Sequence, residues 1–333
     1  MRPRNNFNTL RITAALAVMV SHSFSVSYGR TAHEPLSLVS QGQTTLGGLA
    51  VAVFFVISGY LITESFERSR DAKVFMVNRA LRLLPALAVV LVALAFVAGP
   101  VLTERSLANY FTDPQAYGYV PANLSLLMFV DTLPGVFTHN PFPEAVDGSL
   151  WTLMFEVRCY LAVLCLGLCG ALNRYVSLAI LLGCCVGLKM WLGGTPLELY
   201  ACFAAGAVWH HWRPPLRGWI AAACLALCAW AFLFGGFRVG MPTVGTYVVM
   251  WLALDPRVRM PDLARHGDLS YGTYIWAFFV QQCCAALLGG GWAVNLVVSV
   301  PVVLGLAYMS WHFIEAPTLA LKARFRTVAV AHC

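Results

Sequence analysis

Apolar residues in this chain run in long, continuous stretches separated by short polar segments. Ten stretches approach the about 20 residues that a helix needs to cross the hydrocarbon of a bilayer. Their cores are 8–28, 46–66, 83–101, 149–171, 176–192, 196–210, 218–235, 241–255, 270–289 and 292–313. A transmembrane barrel would instead alternate apolar and polar positions over segments of about ten residues. The pattern predicts an all-α fold, a polytopic membrane helix bundle of about ten transmembrane helices. It reads as one transmembrane domain over 1–333, with its core in 5–322.

Composition agrees: 59% of residues are hydrophobic and 11% charged, against roughly 25% charged in a soluble domain. The formal charge of +7 could suggest a nucleic-acid partner, but its distribution follows topology. With the N-terminus in the cytoplasm, Arg2, Arg4 and Arg11, the basic loop 67–82 and Lys322, Arg324 and Arg326 fall inside. Arg30, Arg105 and Arg238 fall outside. This is the positive-inside pattern; it sets both termini in the cytoplasm and leaves no nucleic-acid footprint. The first stretch is longer than a signal-peptide core and lacks a small-residue cleavage site, so it reads as a retained helix.

The eleven cysteines lie mostly inside spans and show no C-x-x-C spacing, which supports neither a zinc site nor a disulfide framework. His210 and His211 have too few sequence neighbours of ligand type to make a metal site, and their place at a helix end suggests an interfacial role. No metal is expected. The outer loop 102–148 is rich in proline; loops beyond about 15 residues are usually functional or disordered, and its aromatic clusters suggest packing. The chain ends soon after the last span, so no appended soluble domain is expected and the chemistry falls to the bundle.

Four clusters carry candidate chemistry. Arg11 and His22 are eleven residues apart, which at about 100° per residue places both on one helix face. Ionisable groups inside a membrane are costly and mark pathways or reaction sites by default; snorkelling and interhelical hydrogen bonding are the plainer readings. Glu156 lies seven residues below Ser149 on a descending helix, at a depth comparable to that of His22. A carboxylate beside histidine can fix its tautomer and make it a general base; pairing of Glu156 with Arg158 is the structural alternative. Ser149 and Thr152 share the Glu156 face and can hydrogen-bond substrate or carboxylate. Ser58 and Gly59, in "FFVISGY", let a backbone or an extended ligand approach closely. Arg79 and Arg82, in "NRALR", suit phosphate recognition or, alternatively, topological anchoring among membrane lipids.

Taken in order, these features resemble the acyltransferase-3 family of integral-membrane acyltransferases. Its arginine-x₁₀-histidine element matches Arg11 and His22, and its F-F-x-x-S-G element matches Phe54 to Gly59. R-x-x-R matches Arg79 and Arg82, and S-L-W-T-L-x-x-E matches Ser149, through Trp151 and Thr152, to Glu156. "GDLSYGTYIWAFFVQQ" and "SWHFIEAP" are similar to its closing segments. Many relatives carry a histidine where Ala277 stands, so a role for that histidine does not transfer here.

The resemblance implies transfer of an acyl group, usually acetyl from acetyl-CoA as co-substrate, to a sugar hydroxyl of an exported glycan. It implies that Arg11, Ser58, Gly59, Arg79 and Arg82 hold the acyl-CoA donor. His22 and Glu156 are then catalytic, and Ser149, Trp151 and Thr152 bind the acceptor, a glycan or lipid-linked saccharide such as the O-antigen of lipopolysaccharide. A bacterial inner membrane follows from the same resemblance. The rivals are a proton-coupled exporter with a His22/Glu156 relay and an acyltransferase acting on a small molecule such as an antibiotic.

Overall fold

Within hydrocarbon, a backbone can satisfy its N–H and C=O groups only by closing them into helices or barrels. The computed structural model describes residues 5–30, 34–190, 194–265 and 267–322, and its long apolar stretches are all helical. The helices are α1 Phe7–Tyr28, α2 Pro35–Val39, α3 Leu46–Ser69, α4 Ala72–Leu102, α5 Leu107–Thr112, α6 Pro114–Leu124 and α7 Trp151–Leu168. They continue as α8 Arg174–Lys189, α9 Gly194–Trp212, α10 Gly218–Phe234, α11 Phe237–Leu254, α12 Ser270–Leu288 and α13 Trp292–Ala320. Arg2, Arg4, Arg324 and Arg326, used above for orientation, lie outside the described residues.

Each expected span core overlaps a helix, and among the described residues six helices are long and apolar enough to cross a membrane: α1, α3, α4, α7, α11 and α13. The helix α10 is apolar but shorter, α8 has 16 residues, and α9 and α12 bury Glu198, His210, Gln281 and Gln282. The segment 67–82, expected as a loop, is helical apart from Arg70 and Asp71. Arginine and lysine are good helix formers, so the cation density marks helix ends rather than a coil. Arg70 takes a left-handed conformation that stops α3, and the Asp71 carboxylate accepts from Val74 N at 2.9 Å to start α4.

Helices α4, α11 and α13 each contain a five-residue π turn, at Leu94–Ala98, Met241–Gly245 and Trp311–Glu315. A proline lies in or just after each: Pro100, Pro242 and Pro317. Proline has no N–H to donate and so breaks the regular ladder. The Ala95 carbonyl, left short of a backbone donor near Pro100, accepts instead from the Tyr110 hydroxyl at 2.7 Å.

The described residues form two compact units. The first draws on 5–18, 34–75 and 155–265. Its centre is the α3–α9 pair: Gly59 faces the backbone of Phe203, and Gly206 faces the backbone of Val56 and Tyr60. Small residues permit this approach. On the far side of α9, Ala201, Ala204 and Ala205 pack with Leu181 and Leu188 of α8.

The second unit draws on 19–30, 76–154 and 267–322. Helices α12 and α13 meet where Gly272 lies against Ala307. The expected outer loop is ordered: it contains α5 and α6, buries Tyr110 and Tyr119, and closes with antiparallel bridges Thr103–Val136 and Thr132–Ala145. Gln282 fastens it to α12, donating to the Phe142 and Ala145 carbonyls at 2.7 Å each while accepting from Asn140 at 2.9 Å.

Candidate active site

Helix α1 is unbroken, so Arg11 and His22 do share one helix, about 16 Å apart along its axis. Arg11 is half-buried in the first unit. His22 belongs to the second unit, where its ring stands edge-on to Phe278 at 5.2 Å between centroids. Its Nδ1 is buried without a hydrogen-bond partner, although the residue as a whole is only half-buried. Phe278 also meets Phe142 and fills the space beside Gly148. One aromatic ring therefore ties His22 to the end of the 103–150 segment. Next to it, Gln281 Nε2 donates to the Met19 carbonyl at 2.8 Å.

Glu156 lies in the first unit on α7. Its Oε1 accepts from the Ser58 hydroxyl at 3.3 Å and from the Tyr160 hydroxyl. Arg158 is exposed and lies over the ring of Phe155 at 5.1 Å. The structure thus brings two expected site residues, Ser58 and Glu156, together. Gly59 points elsewhere, and its open face is filled by the Phe203 backbone. A protein backbone, not an extended ligand, takes the space that the sequence offered there.

Trp151 and Thr152 begin α7 in the second unit, and Ser149 lies just before it. Ser149 and Thr152 are 1% and 5% exposed, and both hydroxyls are engaged by protein. Ser149 donates to Asp147 Oδ1 at 2.7 Å, and Thr152 meets the Tyr274 hydroxyl at 2.5 Å. Tyr274 also donates to the Ser149 carbonyl at 2.9 Å. Asp147, just before the helix, is fully buried, and its Oδ2 has no hydrogen-bond partner. Burial pushes its carboxyl up to about 7, against the pull of two hydrogen bonds from Ser149. Trp151 is half-buried.

Arg79 and Arg82 lie on successive turns of α4. Arg82 is clasped by two carboxylates, Asp268 at 2.6 Å and Glu315 at 3.3 Å, and is 13% exposed. Asp268 Oδ1 accepts from Ser270 N and Oγ at the start of α12, as Asp147 does from Ser149 at the start of α7. Glu315 closes the third π turn and accepts from Ser310 at 3.0 Å. Two carboxylates around one guanidinium make a poorer phosphate site than the bare R-x-x-R spacing suggested.

The residues that sequence reasoning passed over are mostly the partners. Asp268 and Glu315 stand inside the quoted closing segments, and the repeated D-x-S at 147–149 and 268–270 was a readable sign of helix starts. Another correction concerns His210 and His211. They do gain a partner of ligand type, because the carboxylate of Glu67 reaches both. The 103–150 segment holds a cavity of about 480 Å³ with a mainly polar lining that includes Glu104, Arg105, Gln115, Thr132, Thr138 and Glu144.

Comparison with known proteins adds the class of chemistry. An acyltransferase domain model matches residues 4–312. An O-acetyl transferase of Shigella phage Sf6 is 31% identical over 95% of this chain and 96% of that protein. Nodulation protein 10 of Rhizobium leguminosarum bv. viciae is 29% identical over 96% of this chain and 94% of its own length. No solved structure matches the chain. A helical chain with membrane-spanning segments, matched by that domain over nearly its whole length, belongs to the acyltransferase-3 family of membrane acyltransferases.

Proposed function

We propose that this protein is a membrane O-acyltransferase that moves an acyl group, acetyl foremost, from cytoplasmic acyl-CoA to a hydroxyl of a glycan. The observation that carries the reading is the family match over residues 4–312; the phage relative named O-acetyl transferase supports oxygen as the acceptor atom. A surface polysaccharide such as O-antigen, and a bacterial inner membrane, complete the proposal.

In this reading His22 is the general base. Its buried Nδ1 leaves Nε2 as the nitrogen to meet an acceptor hydroxyl. Nε2 takes the hydroxyl proton as the oxygen attacks the thioester carbonyl. The tetrahedral intermediate collapses by breaking the carbon–sulfur bond, and the departing CoA thiolate takes the proton back from the imidazolium. Glu156, held by Ser58 and Tyr160, is assigned to the catalytic set through the S-L-W-T-L-x-x-E element that ends in it. Arg11, Arg79 and Arg82 are assigned to the donor side, with Arg82 acting through its carboxylate clasp.

The polar cavity of the 103–150 segment supports acceptor binding there, because a saccharide offers hydroxyls to match Glu104, Gln115 and Thr132. Ser149 and Thr152, engaged by Asp147 and Tyr274, then position α7, and the half-buried Trp151 is the member of that trio assigned to sugar contact.

The test uses inverted membrane vesicles carrying wild type or His22→Ala, supplied with labelled acetyl-CoA and the native acceptor. Label passing into glycan with wild type and not with His22→Ala supports the mechanism. Equal transfer by both overturns His22 as base, and uptake without covalent label overturns acyl transfer.

A further inference from the structure

Glu67 and the pair His210–His211 form a second cluster of chemistry-bearing side chains, all within the first unit. Glu67 ends α3 and the histidines end α9, the two helices held close by Gly59 and Gly206. One carboxylate spans both rings, with Oε2 at 2.7 Å from His210 Nε2 and Oε1 at 3.3 Å from His211 Nδ1. One ligand atom from each residue lies within 4.8 Å of the others.

We propose that Glu67, His210 and His211 bind a borderline divalent cation of the Zn²⁺ class, which clips together the ends of α3 and α9. This does not rest on the acyl-transfer reading. The donor set of two imidazoles and one carboxylate is one that zinc accepts, and three protein ligands leave a fourth position for water. At metal–ligand distances of about 2.1 Å, tetrahedral ligand atoms lie about 3.4 Å apart. Binding therefore asks the carboxylate to withdraw from His210 by a fraction of an ångström and the ring nitrogens to close by up to about 1.4 Å. Glu67 can do this, since its side chain is 40% exposed, whereas those of His210 and His211 are 3% and 8% exposed.

Each buried ring faces the cluster with one nitrogen, His210 Nε2 and His211 Nδ1. The other two, His210 Nδ1 and His211 Nε2, are buried without hydrogen-bond partners, so binding places each ring proton on a nitrogen with no acceptor, a cost that the metal bonds have to exceed. Tyr60 packs edge-on to His210 at 5.4 Å and limits its rotation. The opposing charge is Arg213, whose Nε donates to the His210 carbonyl at 3.1 Å; its side chain is thereby directed at the backbone.

The full-length protein in detergent, stripped with chelator, is dialysed against Zn²⁺ alone, and bound metal and thermal midpoint are measured. Co²⁺ is then substituted to read the ligand-field absorption of a four-coordinate site. Wild type should hold one equivalent and gain thermal stability from the metal. Glu67→Gln, which keeps the size of a half-exposed side chain, and His211→Gln should each weaken binding at least about tenfold and lose the metal-dependent stabilisation while remaining monodisperse. Absence of Zn²⁺ binding by wild type, or equal binding by these variants, overturns the site.

Discussion

The Arg82 guanidinium donates to the Asp268 carboxylate at 2.6 Å, and it is the Asp268 residue that also receives Ser270 at the start of α12. This one pair joins α4 to the first turn of α12 inside the second unit. Arg82→Ala leaves Asp268 and the 2% exposed Glu315 without their shared cation. Removing one member of a buried ion pair typically costs about 3–5 kcal/mol. The expected result is a lower thermal midpoint in detergent, with Arg82→Lys intermediate because an ammonium cannot present two donors in a fixed fork. Unchanged stability in Arg82→Ala would show the clasp to be incidental.

His22→Ala should lower acyl transfer by about 10²–10⁴-fold, the usual contribution of a general base, with little loss of stability, because its Nδ1 makes no hydrogen bond. His22→Gln, close in size, should be equally inactive. Transfer of labelled acetyl and the unfolding midpoint of the same preparation separate lost chemistry from lost fold.

Gly59→Ala puts a methyl group into the Phe203 carbonyl, and Gly206→Ala puts one into the Val56 carbonyl. Backbone cannot move aside as a flexible side chain can, so each change should force α3 and α9 apart. The cost of such overpacking is about 1–3 kcal/mol or more. Thermal unfolding of Gly118→Ala, where a methyl group meets nothing within 4 Å, is the matched control.

Asp147 gives a pH dependence with a defined sign. Its folded value, about 7, lies above the ordinary carboxylate value near 4, so between these limits the folded protein holds a proton that the unfolded chain has released. Stability therefore falls as pH rises from about 4 to about 7 and is level above that. Asp147→Asn keeps the oxygen that accepts from Ser149 and should flatten the slope. Midpoints measured across that range for both proteins decide it; parallel curves would remove Asp147 as the cause.

The sequence made some of this legible and not the rest, for a physical reason. Continuous apolar runs report helices directly, so α1 and α3 fall where expected, while α4 begins at Ala72, inside the cationic segment ahead of its apolar core. Spacing along one helix also carries, which is why Arg11 and His22 share α1. Contacts between distant segments do not show in spacing. Ser58 with Glu156, and Arg82 with Asp268 and Glu315, join positions about a hundred or more residues apart. The R-x-x-R pair could be seen as two cations but not as a cation already held by carboxylates. Gly59 declared a close approach, and only the fold shows that α9 makes it. Gln281 and Gln282 end a quoted segment without showing what they bind; both are fully buried, and their amides donate to carbonyls of α1 and of the 103–150 segment.

The π turn at Trp311–Glu315 gives the chain a residue to spare. Such a turn holds one residue more than the α-helical turn it replaces. Deleting a residue from a regular stretch of helix would carry the following side chains about 100° around the axis. A deletion removing only Phe313, which is 76% exposed, instead lets the π turn close into an α turn, with the helix on either side keeping its register. At this place a gap in the chain is easier to absorb than anywhere in the regular turns of α13.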